Sequence, residues 1–314
     1  MELETKFYVA GTPLEATIHI PDKGNESAVQ GKVDRVPPGI ACLMEKYPTV
    51  LLCHGYGSYR NHGWGRLAKA LGDNGFASLR FDHRGAGVNP SRRHTPRPSS
   101  EGPYDARSAI DYCESLPFVD KERIGITGGS MGGIMSIIMA ATDSRIKSAA
   151  PMACTANCGE NIRKDWGDSA DAFMEEMRKD ARLTAATGLS RIINMADDIG
   201  LHRKEGVGDA NIIASLLLPG ISPYVTLESI RDLIDFNATD YISDVQCPIF
   251  IIHGADDGLN AEDHPRRLYN ALPESNKNKR IKIYPDVDHS IFDCVNSEAV
   301  VRDIVDWFSE TLKD

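Results

Sequence analysis

The sequence predicts an α/β chain: a mostly parallel central sheet flanked by helices, with a mostly helical segment inserted late in the order of strands. Three observations carry this. Short β-rich runs alternate with helical patterns between residues 49 and 142, the mark of βαβ units. The same alternation resumes at residue 247. Between them, residues 153–246 are too many for a loop in a compact domain, so they must carry structure of their own. A chain of 314 residues suits one large α/β domain or a core domain carrying an insertion.

In chain order, LETKFYVAG and PLEATIHIP alternate apolar and polar residues and read as an antiparallel hairpin broken at Gly11 to Pro13. A polar loop rich in Gly and Pro follows, from Asp22 to about Gly39. Strand TVLLCH (49–54) precedes a helix around Gly63 to Asn74, ASLRFD (77–82) precedes Tyr104 to Leu116, and RIGIT (123–127) precedes Met131 to Thr142. KSAAPM (147–152) is the next strand. In the insertion, Ala170, Phe173, Met174, Met177 and Ala181 fall at helical spacing, as do Leu189, Ile192, Ile193, Ala196 and Ile199. IIASLLLPG, stopped by Pro219 and Gly220, and a helical TLESIRDLIDF complete it. The chain then returns to strand CPIFIIHG (247–254), a helix from Pro265 to Ala271, strand RIKIYP (280–285) and a last helix from Ser297 to Leu312. That helix turns Val300, Ile304, Val305, Phe308 and Leu312 inward. The expected division is a core of residues 1–152 and 247–314 with a helical cap at 153–246.

A formal net charge of −10 argues against a nucleic-acid or anionic-membrane partner, either of which favours a basic face, and points to a small-molecule substrate. The oligomeric state is left open, a homodimer included. The stretch MELETKFYVAG has no basic segment followed by an apolar core, and no later run is long enough to span a bilayer, so a soluble, cytoplasmic protein is expected. Seven cysteines at irregular spacings do not make a disulfide framework. Cys154 and Cys158 lack a second pair at ligand spacing, so no metal is expected, and no cofactor.

The chemistry-bearing residues all fall at the carboxyl ends of predicted strands, where open α/β sheets bind ligands. Gly128, Ser130 and Gly132 fit Gly-x-Ser-x-Gly between a strand and a helix, the context in which a tight turn presents a serine nucleophile. A serine hydroxyl needs a histidine to take its proton and an acid to orient that histidine. His289 in PDVDHS follows one strand; Asp256 and Asp257 in HGADDGL follow another, in the chain order Ser, Asp, His. Adjacent residues of an extended segment point to opposite faces, so only one of the two aspartates faces the imidazole. Asp288 is a third candidate, disfavoured because a residue next to a histidine rarely folds back onto its ring. His19, His94, His202 and His264 lie in the hairpin, polar stretches or the cap and compete poorly as the base. An oxyanion requires backbone donors: Met131 after the serine, and Tyr56 in the loop HGYGSYR, where Gly55 and Gly57 let the chain turn. Asp82, His83 and Arg84 in FDHRGAG read as a hydrogen-bonded structural turn. The basic loop NPSRRHTPRPSS (89–100) reads as solvated, with Arg92, Arg93 or Arg97 as candidates for a substrate carboxylate.

Taken together, HGYGSYR, FDHRGAG, GGSMGG, HGADD and the final DH resemble the α/β-hydrolase superfamily, within it the esterase and dienelactone-hydrolase-like serine hydrolases. The resemblance covers most of the chain. It implies the α/β-hydrolase fold and, through HGxxD, assigns the acid to Asp257. Asn89 and Asn260 depart from the family pattern, and the elbow carries serine where dienelactone hydrolases proper use cysteine. The expectation is a serine hydrolase of carboxylic esters acting through an acyl-enzyme, with Ser130, His289 and Asp257 as triad and Tyr56 and Met131 as oxyanion donors. IIASLLL would then line its pocket. The alternatives are the same triad acting on an amide or peptide, a thioester, a lactone or a carbon–carbon bond of a diketone, and a non-catalytic binding protein on this scaffold.

Overall fold

A computed structural model describes residues 1–21, 45–88, 95–194, 224–292, 294 and 296–313, with the side chains of residues 165 and 166 left aside. The Gly/Pro-rich loop, Arg92, Arg93, His94, Ala196, Ile199, His202 and the IIASLLLPG run lie outside the described residues.

Strands β1 (Glu2–Val9) and β2 (Thr12–His19) pair antiparallel in register from Glu2↔His19 to Val9↔Thr12. The break falls at Ala10 (φ 47°) and Gly11 (φ 83°), one step before the expected position. Two residues at positive φ make the tight turn whose twist suits a hairpin, and Pro13 is taken into β2. Beyond the hairpin come β3 (Tyr47–Cys53), β4 (Ala77–Phe81), β5 (Val119–Gly129), β6 (Ile146–Met152), β9 (Ile249–Gly254) and β10 (Lys279–Tyr284). The eight-stranded sheet runs β1-β2-β4-β3-β5-β6-β9-β10; β2 meets β4 antiparallel and every pair from β4 to β10 is parallel.

Both faces of the sheet are covered, and the strands divide their side chains between two cores. Leu51, Cys53, Ile249 and Ile251 face α2 (Gly102–Ser115), α3 (Met131–Thr142) and α7 (Asp263–Ala271). Their alternates Val50, Leu52, Phe250 and Ile252 face α1 (Trp64–Asp73) and α8 (Ser297–Leu312). A parallel strand buried on both sides needs this near-continuous apolar run, which is what TVLLC and PIFII supply.

Between β6 and β9 run α4 (Cys158–Trp166), α5 (Ala170–Thr187), β7 (Ile192–Asn194), β8 (Tyr224–Thr226) and α6 (Leu227–Ile234). Ala170, Met177, Ile193, Val225, Leu227 and Ile230 form a small core of their own. Ile192 and Ile193, expected on a helix, lie instead on β7, paired antiparallel with β8. The helix before them ends at Gly188 (φ 74°), and the Asp180 carboxylate accepts from Ser190 Oγ (2.6 Å) and the Arg191 N–H (2.7 Å). That clamp turns the chain back, and two β-branched residues then fit an extended strand better than a helix. No helix among the described residues is long and apolar enough to cross a membrane.

Candidate active site

Ser130 sits between β5 and α3 at φ 56°, ψ −118°, a backbone conformation that costs a non-glycine residue on the order of 1–3 kcal/mol. Its own N–H donates to the Met152 carbonyl at the end of β6 (2.9 Å), which helps hold it there. The flanking glycines are needed for closeness rather than for positive φ. A methyl group on Gly132 would collide with the Cys53 carbonyl, and one on Gly128 with the Gly132 carbonyl. The turn packs so tightly on β3 that no side chain fits, and the serine is carried to the head of α3. Met131, the first residue of that helix, has an N–H with no acceptor inside it and lies at the positive end of the helix dipole.

The loops after β9 and β10 meet at the same edge of the sheet. The Ala153 N–H donates to Ile252 O (2.9 Å) and the Asp256 N–H to Val287 O (3.0 Å). His289 Nδ1 lies 3.0 and 2.9 Å from the two oxygens of Asp257, so that nitrogen holds the proton and donates it. Asp257 is buried; its Oδ1 also accepts from the N–H groups of Leu259 (3.0 Å) and Asn260 (2.9 Å). Asp256 is exposed. Asp288 turns to its own loop, accepting from the Ser290 N–H (2.8 Å) and from Cys294 Sγ (2.9 Å). Phe292, three residues after His289, sets its ring edge-on to Trp64 (centroids 5.1 Å), and a methyl on Gly129 would touch that indole at 3.6 Å. One wall thus joins the histidine loop to the serine turn.

The loop after β3 lies against Ser130: a β-carbon on Gly55 would sit 3.4 Å from Ser130 Cβ. The Gly55 carbonyl accepts from His54 Nδ1 (2.8 Å) and from the Ser58 N–H (3.2 Å). Because the His83 N–H donates to His54 Nε2 (3.2 Å), that nitrogen is bare and the proton is on Nδ1. Burial, only partly opposed by the Asp82 charge, holds the His54 pKa below its ordinary value and keeps the ring neutral. A trans peptide turns its N–H away from its C=O, so the bond from His54 fixes which way the Tyr56 N–H faces.

FDHRGAG is a structural turn. Asp82 accepts from Arg60 twice, through the backbone N–H (2.7 Å) and Nη1 (2.6 Å), and from the Val88 N–H (3.2 Å). Arg84 grips Asp105 through its N–H (3.0 Å) and Nε (2.6 Å). Arg60, the last residue of HGYGSYR, therefore ties the Tyr56 loop to this turn. Arg97 does not stand open to a substrate carboxylate: it pairs with Glu228 of α6, while the N–H groups of Ser99 (2.7 Å) and Ser100 (3.3 Å) donate to Asp232 of the same helix. The basic loop ends as a clasp on the inserted segment. Cys154 and Cys158 are buried, and burial pushes both thiols up to about 12.

Three residues given no part in the chemistry by the sequence reading frame Asp257. His264 is buried; its Nδ1 accepts the Ala156 N–H (3.1 Å), so its Nε2 donates to Asn161 Oδ1 (3.2 Å). Asn161 of α4 donates to Leu259 O (3.0 Å) and Asn260 Oδ1 (3.2 Å), and Asn260 Nδ2 donates to Ala153 O (2.8 Å). Asn260, a departure from the family pattern, is thus a strut between the Asp257 loop and the end of β6. Its one sequence signal was that departure.

A profile described as "Serine aminopeptidase, S33" matches residues 45–293. A 31.7 kDa protein of Escherichia coli, named for the traX-finO intergenic region, is 25% identical over 285 residues, covering 88% of this chain and 94% of that one. The monoglyceride lipase of Saccharomyces cerevisiae is 25% identical over 287 residues, 83% of this chain and 84% of its own. Among solved structures, a complex of DcsB with its substrate analogue superposes with a TM-score of 0.80 at 15% identity, covering 100% of this chain and 99% of that one.

Proposed function

The chain belongs to the serine aminopeptidase S33 family, within the α/β-hydrolase superfamily, and from that premise we propose that it is a serine hydrolase cleaving the carboxylic ester of a small to medium organic substrate. The observation that carries the reading is the His289–Asp257 pair at 2.9 Å, at the same sheet edge as a serine held at φ 56°. In this reading Ser130 Oγ attacks the carbonyl carbon as His289 Nε2 takes its proton, and Asp257 stabilises the imidazolium through Nδ1. The N–H groups of Tyr56 and Met131 receive the oxyanion. The tetrahedral intermediate collapses as His289 returns the proton to the departing alkoxide, leaving an acyl group on Ser130. Water, deprotonated by His289, then releases the acid. The reading takes residues 153–246 as a cap, supported among the described residues by the separate small core that α5, β7, β8 and α6 share.

The monoglyceride lipase of yeast, an ester hydrolase by name, supports ester over amide cleavage. An aminopeptidase must also hold the ammonium of its substrate. The two carboxylates of α6, Glu228 and Asp232, are already engaged by Arg97 and by the Ser99 and Ser100 N–H groups. The amide reading keeps one argument, the name of the family itself. Turnover of a short acyl ester against an aminoacyl anilide separates them, with the ester expected to be faster. Ser130→Ala is expected to lower ester turnover by roughly three to six orders of magnitude with the fold intact. Retained turnover contradicts the proposal.

A further inference from the structure

Tyr56 belongs to two parts of the molecule at once. Its backbone lies in the loop packed on Ser130, while its ring packs against both the sheet core and the small core of the inserted segment. Its hydroxyl lies 2.6 Å from Ser229 Oγ on α6. Ser229 is fully buried and has one hydroxyl proton, which it donates to the Pro96 carbonyl. A carbonyl can only accept, so the direction of the whole relay follows: Tyr56 O–H donates to Ser229 Oγ, and Ser229 O–H donates to Pro96 O. Burial raises the Tyr56 phenol pKa, which keeps that donor proton in place.

The far end of the relay is anchored firmly. The Ser229 N–H is capped by Thr226 Oγ1 (3.2 Å), which in turn donates to Thr95 Oγ1 (3.3 Å). Together with the Arg97–Glu228 pair and the Asp232 bonds, this makes α6 and residues 95–100 a single clamp. At the near end, His54 sets the orientation of the peptide carrying the Tyr56 N–H, but not the distance of that peptide from Ser130. The phenol, held between α6 and Pro96, supplies the second restraint.

We propose that the Tyr56 hydroxyl and Ser229 are positioning residues that couple the inserted segment to the oxyanion donor, so that the seating of α6 sets the reach of the Tyr56 N–H toward the reacting carbonyl. This rests on the esterase reading above. A misplaced donor is felt only where negative charge develops, so the coupling acts on the transition state and not on ground-state binding. Tyr56→Phe and Ser229→Ala each delete one oxygen and leave the packing volume in place.

The test measures kcat and KM on a short acyl ester for both variants and their combination, with folded sites counted by fluorophosphonate titration and folding followed by thermal unfolding. Each single variant is expected to lower kcat about tenfold with KM unchanged within about twofold, and the double variant to lose no more than either single one. An alkyl boronic acid, whose tetrahedral serine adduct places an oxygen in the oxyanion site, is expected to bind about tenfold more weakly to each. Unchanged kcat, a rise in KM alone, or losses that multiply in the double variant overturn the coupling while Ser130→Ala still abolishes turnover. Retained turnover in Ser130→Ala instead overturns the esterase reading beneath it.

Discussion

Replacing Asp257 by Asn changes one atom and reverses one hydrogen bond. The amide oxygen can take the place of Oδ1, where it still accepts from the Leu259 and Asn260 N–H groups, so the loop keeps its shape. The amide nitrogen then occupies the place of Oδ2, 2.9 Å from His289 Nδ1. An NH2 group donates, so Nδ1 must accept, and the imidazole proton moves to Nε2, the nitrogen that the proposed mechanism needs bare. Loss of the correct tautomer, with geometry preserved, lowers kcat by about ten-thousandfold. At 1.36 kcal/mol per factor of ten, that is about 5.4 kcal/mol of transition-state stabilisation. The assay is kcat and kcat/KM on a short acyl ester, with Asp256→Asn as control and thermal unfolding to show the fold. The exposed Asp256 should change the rate by less than about twofold. If Asp257→Asn stays within tenfold of the parent, or Asp256→Asn is the more damaging, the orientation argument is wrong.

Other consequences follow from buried polar groups. Arg60→Leu leaves Asp82 a buried carboxylate without its guanidinium and is expected to cost about 3 kcal/mol in urea unfolding, whereas a cost under about 1 kcal/mol means the pair is not a structural tie. The pKa of His264 is lowered from 6.5 chiefly by burial, helped by the nearby Arg267 and Lys164 charges and opposed by Asp263 and Glu160. Below about pH 6.5 the unfolded chain therefore takes up a proton that the folded chain refuses, and stability falls as pH drops from there toward the lower folded value. His54, His83 and His253 carry the same sign. His264→Gln, which can accept from Ala156 and donate to Asn161, should show a shallower loss between pH 7.5 and 5.5; an unchanged slope refutes the role given to His264.

The order of strands and helices was legible because each parallel strand is a short β-rich run and most connecting helices are amphipathic, while α3, buried on nearly every side, is marked by the glycine turn before it. The turns at strand ends were legible for a different reason: close approach of backbone to backbone leaves a local mark, as Gly132 does against the Cys53 carbonyl. Long-range choices leave none. Nothing in SRIIN says that Asp180 will turn the chain into a strand, since that depends on a carboxylate ten residues away from Ser190. Arg97 looked like a ligand for substrate because its partner Glu228 lies 131 residues further on, on α6 of the inserted segment. His264 and Asn161 looked ordinary for the same reason. Their roles exist only once α4, α7 and the Asp257 loop are packed together.

The most direct test of the central claim is the site of covalent labelling by a fluorophosphonate, mapped by peptide mass spectrometry on the intact protein. A serine made nucleophilic by a histidine displaces fluoride, and among the described residues Ser130 is the one serine held at positive φ, at the sheet edge that carries the His289–Asp257 pair. The account predicts a single adduct on Ser130, in the peptide containing GGSMGG, and its loss in His289→Ala. An adduct on another residue, or ester turnover that continues with Ser130 unlabelled, contradicts it.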